Sequence, residues 1–286
     1  MSPRSHADRG GIVGALLGLI AALTITAGDF FSRRVTNEIG PIVAASSTSF
    51  LATLTTLVFA FATDGSLIAG DMLLGALSGI GFGVGIATYL HGVYISSSSV
   101  VAPVNASLAT LIPFSYASIV GAVPPLVAIA GAVATIVGLI FVTVGGAKAS
   151  NVRGGFPVAA ASGLGYGFGT VFMINLDDTS GNWPLVAQRG IAVLVVVLYA
   201  LARRRPLLPP PRFAPNVIAG GFFAGMSSIL LLAGLSLNAP AASVTVALFP
   251  AAAVVSGRLF FGDSVSRPQV VGLLIVVAGT VGIVVA

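Results

Sequence analysis

Ten stretches of mostly apolar residues succeed one another along the chain, at roughly 11–31, 41–62, 71–92, 99–119, 125–146, 155–175, 184–202, 214–233, 241–261 and 268–286. Each is close to the ~20 residues a helix needs to cross the hydrocarbon core of a bilayer. Polar or Gly/Pro punctuation separates them, as at Thr63-Asp64-Gly65, from Gly146 to Arg153, and in the Pro-rich run from Arg203 to Arg212. Within lipid every backbone N–H and C=O must find its partner inside the segment, so uninterrupted runs of this length are helices. The pattern predicts an all-α membrane protein with ten transmembrane helices.

The pattern also repeats. Gly40-Pro41-Ile42-Val43-Ala44 returns about 142 residues later as Trp183-Pro184-Leu185-Val186-Ala187. Gly131, Gly138 and Gly145, each seven apart, return as Gly272 and Gly279. Loop charges, by contrast, invert between the copies. Arg33-Arg34 follows the first span, whereas Asp177-Asp178 follows its counterpart; Asp64 and Asp71 follow the second, whereas Arg203-Arg204-Arg205 follows its counterpart. Five spans per copy is an odd number, so the second copy enters the membrane the other way up. The predicted architecture is two inverted five-helix repeats, residues 1–147 and 154–286.

Composition narrows the class further. Of 286 residues 56% are hydrophobic and 7% charged, against the roughly 25% charged of soluble domains. Thirteen basic against eight acidic residues are too sparse for a nucleic-acid surface, and their placement reads better as an orientation signal. The loops after spans 1, 3, 5, 7 and 9 hold Arg33, Arg34, Lys148, Arg153, Arg203, Arg204, Arg205, Arg212 and Arg267, while the opposite side holds Arg4, Arg9 and several aspartates. The charge bias therefore puts both termini outside the cytoplasm. Cysteine is absent, which excludes disulfides and thiolate chemistry. The first ten residues form a short polar tail, and the span after them is read as retained, since no small-residue cleavage site precedes Asp29.

Small residues recur at helix-packing intervals: Gly14, Gly18, Ala22 and Thr26 in span 1, Gly75, Gly79, Gly83 and Ala87 in span 3, and Gly155, Ala159, Gly163 and Gly167 in span 6. Such ridges let backbones approach closely. In spans 3 and 6 glycines also alternate, at 79, 81, 83 and 85 and at 163, 165, 167 and 169, which puts glycine on more than one face.

Across two repeats these features resemble the EamA family of the drug/metabolite transporter superfamily. The second repeat carries Ala242-Ser243-Val244-Thr245-Val246-Ala247-Leu248-Phe249-Pro250, then Gly262-Asp263 and Gln269-Val270-Val271-Gly272. This is similar to the family's small-Ser-apolar run-Pro, Gly-Glu and Gln-x-x-Gly order, with Asp263 in place of Glu. In the first repeat Val100-Val101-Ala102-Pro103 and Pro113 match, but Gly121-Ala122 stands where Gly-Glu is expected. Gly28-Asp29-Phe30-Phe31-Ser32-Arg33-Arg34 resembles a variant first-helix signature of one branch. The resemblance implies a ten-helix transporter with a cavity formed by spans 1, 3, 4, 6, 8 and 9.

Polar residues inside the spans are the candidates for chemistry. Asp29 ends a nearly unbroken apolar run; an acid within a span costs about 2.5–3.5 kcal/mol to insert and normally faces protein or a water-filled cavity. It is a candidate proton or cation carrier, the alternative being an interfacial pair with Arg33 one turn on. Arg189, beside Gln188 in span 7, matches an arginine the family often has there and is a candidate anchor for a carboxylate or phosphate. Its alternative is to snorkel or to pair with Asp177 or Asp178. Asn105, Asn175, Tyr89, His91 and Tyr166 complete the set of pathway candidates, with helix–helix clamps or an interfacial belt that includes Tyr94 and Trp183 as competing readings. Pro103, Pro113 and Pro250 remove backbone bonds inside spans 4 and 9 and are candidate kinks. Asp263 reads as an ion-pair partner of Arg258 or Arg267.

The sequence thus points to a secondary transporter of the cytoplasmic (inner) membrane moving a small polar, amino-acid-like metabolite, with H+ as candidate coupling ion and a monomer or homodimer as the unit. A lipid-linked-substrate flippase and a non-transporting receptor or assembly partner are the alternatives. With two histidines and no acidic cluster within a span, no enzyme activity, metal or cofactor is expected.

Overall fold

The computed structural model describes residues 3–95, 98–121, 124–144, 152–246, 248–261 and 266–285. Its helices are α1 (Pro3–Ile39), α2 (Pro41–Ala62), α3 (Ala69–Ile95), α4 (Ser98–Val120), α5 (Leu126–Val144), α6 (Val152–Ile174), α7 (Trp183–Ala202), α8 (Ala214–Val246), α9 (Phe249–Phe261) and α10 (Arg267–Val285). Among the described residues there is no strand. Among the described residues six helices are long and apolar enough to cross a membrane, and shorter apolar helices occupy 104–120, 126–141 and 267–279.

Two boundaries depart from the apolar pattern. Helix α1 starts at Pro3 and continues to Ile39, so the expected polar tail is its first turns. It stops at Gly40, whose φ of +111° is open to glycine and strained for other residues, and α2 begins at once with Pro41 at its first position. Helix α8 is assigned as one element across both the eighth and ninth apolar stretches. It is broken at Asn238 (φ −158°, ψ 91°), whose side chain caps the following segment by accepting from the Ala241 N–H at 3.0 Å. Helix geometry lapses again just before Phe249, where Leu248 N–H bonds the Thr245 carbonyl three residues back, at 3.1 Å. The ninth stretch is thus a discontinuous helix.

Helix pairs recur across the two halves. α1 lies along α8 as α6 lies along α3; α2 faces both α7 and α8, and α7 faces α3; α5 and α10 form a pair of their own. Glycines set these distances. On α3, Gly75, Gly79 and Gly83 face Pro184, Gln188 and Val195 of α7, while Gly81 and Gly85 face Gly165 and Tyr166 of α6. The alternating glycines therefore serve two seams. Gly131 and Gly138 of α5 meet Gly279 and Gly272 of α10, so the repeated glycines of the two copies meet crosswise in space. Such contacts replace the hydrophobic drive that lipid does not supply.

Loops join across the halves at both ends. At one end the Ser66 N–H bonds the Thr179 carbonyl (2.8 Å), and Asp71 Oδ2 accepts from the Asp177 N–H (3.1 Å) and the Ser180 hydroxyl. Asn182 reaches Thr63 (3.1 Å), and Trp183 meets Phe61 edge-on. We term this the acidic end, since Asp64, Asp71, Asp177 and Asp178 gather there. At the other, basic end Ser46 donates to the Leu207 carbonyl (2.8 Å) and Arg212 pairs with Glu38 (3.1 Å).

A side chain at Gly81 would come within 2.6 Å of the Gly165 carbonyl, while one at Gly190 would meet nothing within 4 Å. Gly81→Leu is expected to cost at least the ~1–3 kcal/mol of overpacking and Gly190→Ala to leave stability unchanged, as read by thermal unfolding in detergent. The Asp177 carboxyl is held below its ordinary range by hydrogen bonds from the Thr179 side chain and N–H. The stability it confers is complete above the ordinary carboxylate range and lost as pH falls through the lowered value. The protection factor of the Thr179 amide, its exchange rate relative to that of an unstructured amide at the same pH, is expected to fall on acidification and, in Asp177→Asn, to become independent of pH.

Candidate functional site

A cavity of about 390 Å³ lies between the halves. Its walls come from α1, α2, α3, α4, α6, α7, α8 and α9, leaving α5 and α10 outside. It runs from the basic end, past Thr36 and Pro41, to a floor where Met173, Leu185, Leu232, Leu235 and Ala242 close together. The spans expected from the family resemblance all contribute, and α2 and α7 add Thr48, Ser49, Gln188 and Arg189.

Most of the polar wall is tied down. Arg189 donates through Nε to Ser228 Oγ (2.9 Å) and through Nη2 to the Ala224 carbonyl (3.0 Å), with a further Nη2 contact to Ser228. It thus leans on α8 and does not reach Asp177 or Asp178. Gln188 donates to Ser78 Oγ (2.7 Å), which donates to the Gly169 carbonyl (2.7 Å), linking α7, α3 and α6. Ser162 Oγ lies 2.8 Å from both the Gly85 carbonyl and Asn105 Oδ1, sharing its one proton between them. Each link satisfies groups that would be costly to bury unpaired.

Asp29 and Ser243 are among the groups left over. Asp29 has no hydrogen bond or ion pair among the described residues; protein surrounds it, yet its side chain is exposed to the cavity. The Arg33 side chain, its alternative partner, lies outside the described residues. Ser243, on the discontinuous ninth segment, is 2% exposed, lines the cavity and has no partner for its hydroxyl. Tyr166 sits within electrostatic reach of Asp29, Tyr89 and Arg189, and its ring meets Phe82 edge-on. Among the described residues no three His, Cys, Asp or Glu side chains gather as a metal site.

Of the residues singled out from sequence, Asp29, Tyr89, Asn105, Tyr166, Gln188 and Arg189 share this cavity. Two do not. His91 lies further along α3, outside the lining. Asn175 is exposed at the acidic end, accepting from Tyr116 (2.5 Å) and donating to the Val171 carbonyl (2.8 Å), a clamp between α4 and α6. Pro113 is buried within α4. The side chains of Tyr94, Pro103, Pro250 and Arg258, and all of Asp263, lie outside the described residues. Ser228, Ser227, Ser243 and Thr48 were not anticipated. Serine and threonine are common inside spans, where they usually bond back to the preceding turn, so nothing in the sequence marks Ser227, Ser228 and Thr48, and Ser243 stood out only within the small-Ser-apolar pattern of the family resemblance.

Residues 153–285, in the second half of the chain, match the sequence model of the EamA-like transporter family, which bears out the resemblance read from the second repeat. Among curated proteins no match is found. Among solved structures, one titled only "Crystal structure of protein" has the same fold, with a TM-score of 0.73, 15% identity, and coverage of 94% of this chain and 95% of that chain. The apolar helices make this a multi-pass membrane protein, and its second half is similar to the EamA-like transporters.

Ser78→Ala would strand the Gln188 amide in a buried seam. A loss of about 1–3 kcal/mol is expected for an orphaned buried group, whereas Thr36→Val at the mouth should stay within about 0.5 kcal/mol. Thermal unfolding of the two purified variants decides between them.

Proposed function

We propose that the chain as a whole, and not only its EamA-like second half, is a secondary transporter built from two inverted five-helix repeats, residues 1–147 and 154–286. The swapped pairings support this reading: exchanging the first five helices with the second five turns α1–α8 into α6–α3 and α2–α8 into α7–α3, and maps α2–α7 and α5–α10 onto themselves. The sequence around the ninth stretch agrees, since Ala239-Pro240 with Pro250 ten residues on repeats Ala102-Pro103 with Pro113. On this reading the ten apolar stretches all span, and the break at Asn238 separates the eighth from the ninth.

The observation that carries the function is one carboxylate with no partner among the described residues and one guanidinium in the same cavity, lined by α1 and α7 among others. A charge is expensive within a span and is retained where it meets water, an ion or cargo. Arg189 is held from behind by Ser228 and Ala224, which leaves its remaining N–H groups to take the carboxylate of a small amino-acid-like metabolite. Asp29 is the proton-coupling group. The cavity passes between exposure to the basic and the acidic end by alternating access. The basic end faces the cytoplasm of the cell membrane, so both termini lie outside, and export is the direction proposed. A monomer holds a complete pathway, and a homodimer would hold two.

Flux into proteoliposomes, screened over amino acids and related metabolites at several pH values, tests this reading. Asp29→Asn is expected to lose the pH dependence of flux. Transport by that variant with wild-type response at every pH would remove Asp29 from coupling. Arg189→Ala is expected to weaken binding of the carboxylate-bearing substrate about 10- to 100-fold, the ~1.5–3 kcal/mol of charged hydrogen bonds, and to spare its uncharged amide.

A further inference from the structure

A second chamber of about 190 Å³ lies beyond the floor of the central cavity, at the acidic end. It is lined by the α6–α7 loop, including Asp177, Asp178 and Asn182, and by Ile229 and Ser236 of α8. The two chambers have one lining residue in common: Leu232, 9% exposed, faces the central cavity and the outer chamber alike. Around it Met173, Leu185, Leu235 and Ala242 complete the floor. The separation between a polar cavity and an acidic vestibule is thus an aliphatic partition centred on one side chain.

We propose that Leu232 is the gate between the central cavity and the acidic end, and that the outer chamber is the far half of the translocation path. This rests on the alternating-access reading above. Aliphatic contacts suit the task because they exclude water when closed and break no hydrogen bond on opening; hydrophobic constrictions gate by wetting and dewetting. What stays fixed and what moves also follow from the contacts. The loops after α2 and α6 are tied to each other by Asp71, Ser180, Asp177 and Ser66. The acidic end of α8, by contrast, runs into the non-helical Asn238 six residues beyond Leu232, with Pro240 following. Residues that take up a change in φ and ψ at the end of an element are where hinges form. The tip of α8 swings on that junction, and Leu232 leaves the wall formed by Met173 and Leu185.

The chain has no cysteine, so single-cysteine variants report without background. Leu232→Cys, Ala109→Cys in the central cavity and Ser236→Cys in the outer chamber would be treated with a membrane-impermeant methanethiosulfonate, applied to each face of the membrane in turn. Labelling of Leu232→Cys and Ala109→Cys from both faces, and of Ser236→Cys from the acidic face alone, is the expected result. If Ala109→Cys reacts from both faces but Leu232→Cys only from the basic one, the path goes elsewhere and the gate is overturned while alternating access stands. If Ala109→Cys reacts from one face only, alternating access itself fails and the gate with it. Should Leu232→Cys not insert, Leu185→Cys on the facing wall is read in the same way.

Discussion

A polar group placed within a hydrocarbon slab has no water to fall back on, and the interior of this protein is arranged around that constraint. Three short relays close most of the account: Arg189 to Ser228 and Ala224, Gln188 through Ser78 to Gly169, and Asn105 with Ser162 and Gly85. Each crosses between helices, so satisfying the polar groups also fixes which helices are neighbours. Asp29 and the Ser243 hydroxyl remain outside these relays, and both line the central cavity. Function is read from the groups the fold leaves unsatisfied.

The same constraint explains why the helices are so rich in glycine. A relay of 2.7 to 2.8 Å through side chains as short as serine requires backbones to come very close. Gly79 beside Gln188, Gly169 beside Ser78 and Gly85 beside Tyr166 make that approach possible. The glycine seams and the polar relays are therefore one device: the first brings the helices together and the second chooses their register.

The molecule treats its two ends differently. At the basic end the cavity passes between Thr36 and Pro41, whereas at the acidic end an aliphatic floor and a hydrogen-bonded loop clasp lie across the way out. Approximate exchange of the helices relates the pairings of one half to those of the other. The alternating access proposed above needs a scaffold with such related pairings and a barrier towards one end.

Much of this was legible in the sequence, for reasons that can be stated. Apolar runs of spanning length fix helices because lipid permits nothing else to a solitary chain, and the helices begin and end within a few residues of those runs except at Pro3, Ile39, Asn238 and the break before Phe249. Asp29, Arg189, Gln188, Asn105, Tyr89 and Tyr166 stood out because a polar residue within such a run is costly and must be answered. His91 and Asn175 stood out for the same reason and do not line the cavity, since near a helix end the answer can be a neighbouring side chain or the membrane surface, as Tyr116 is for Asn175. Only the tertiary structure could tell satisfied groups from unsatisfied ones. Arg189 has its partners 35 and 39 residues away, Gln188 has its own 110 away, and Ser243 resembles every back-bonded serine in the chain until its neighbours are seen. The sequence by itself determined where the chain is helical and which side chains are expensive; the packing decided which of them were paired and which were left facing the cavity, because pairing depends on distances that no local pattern contains.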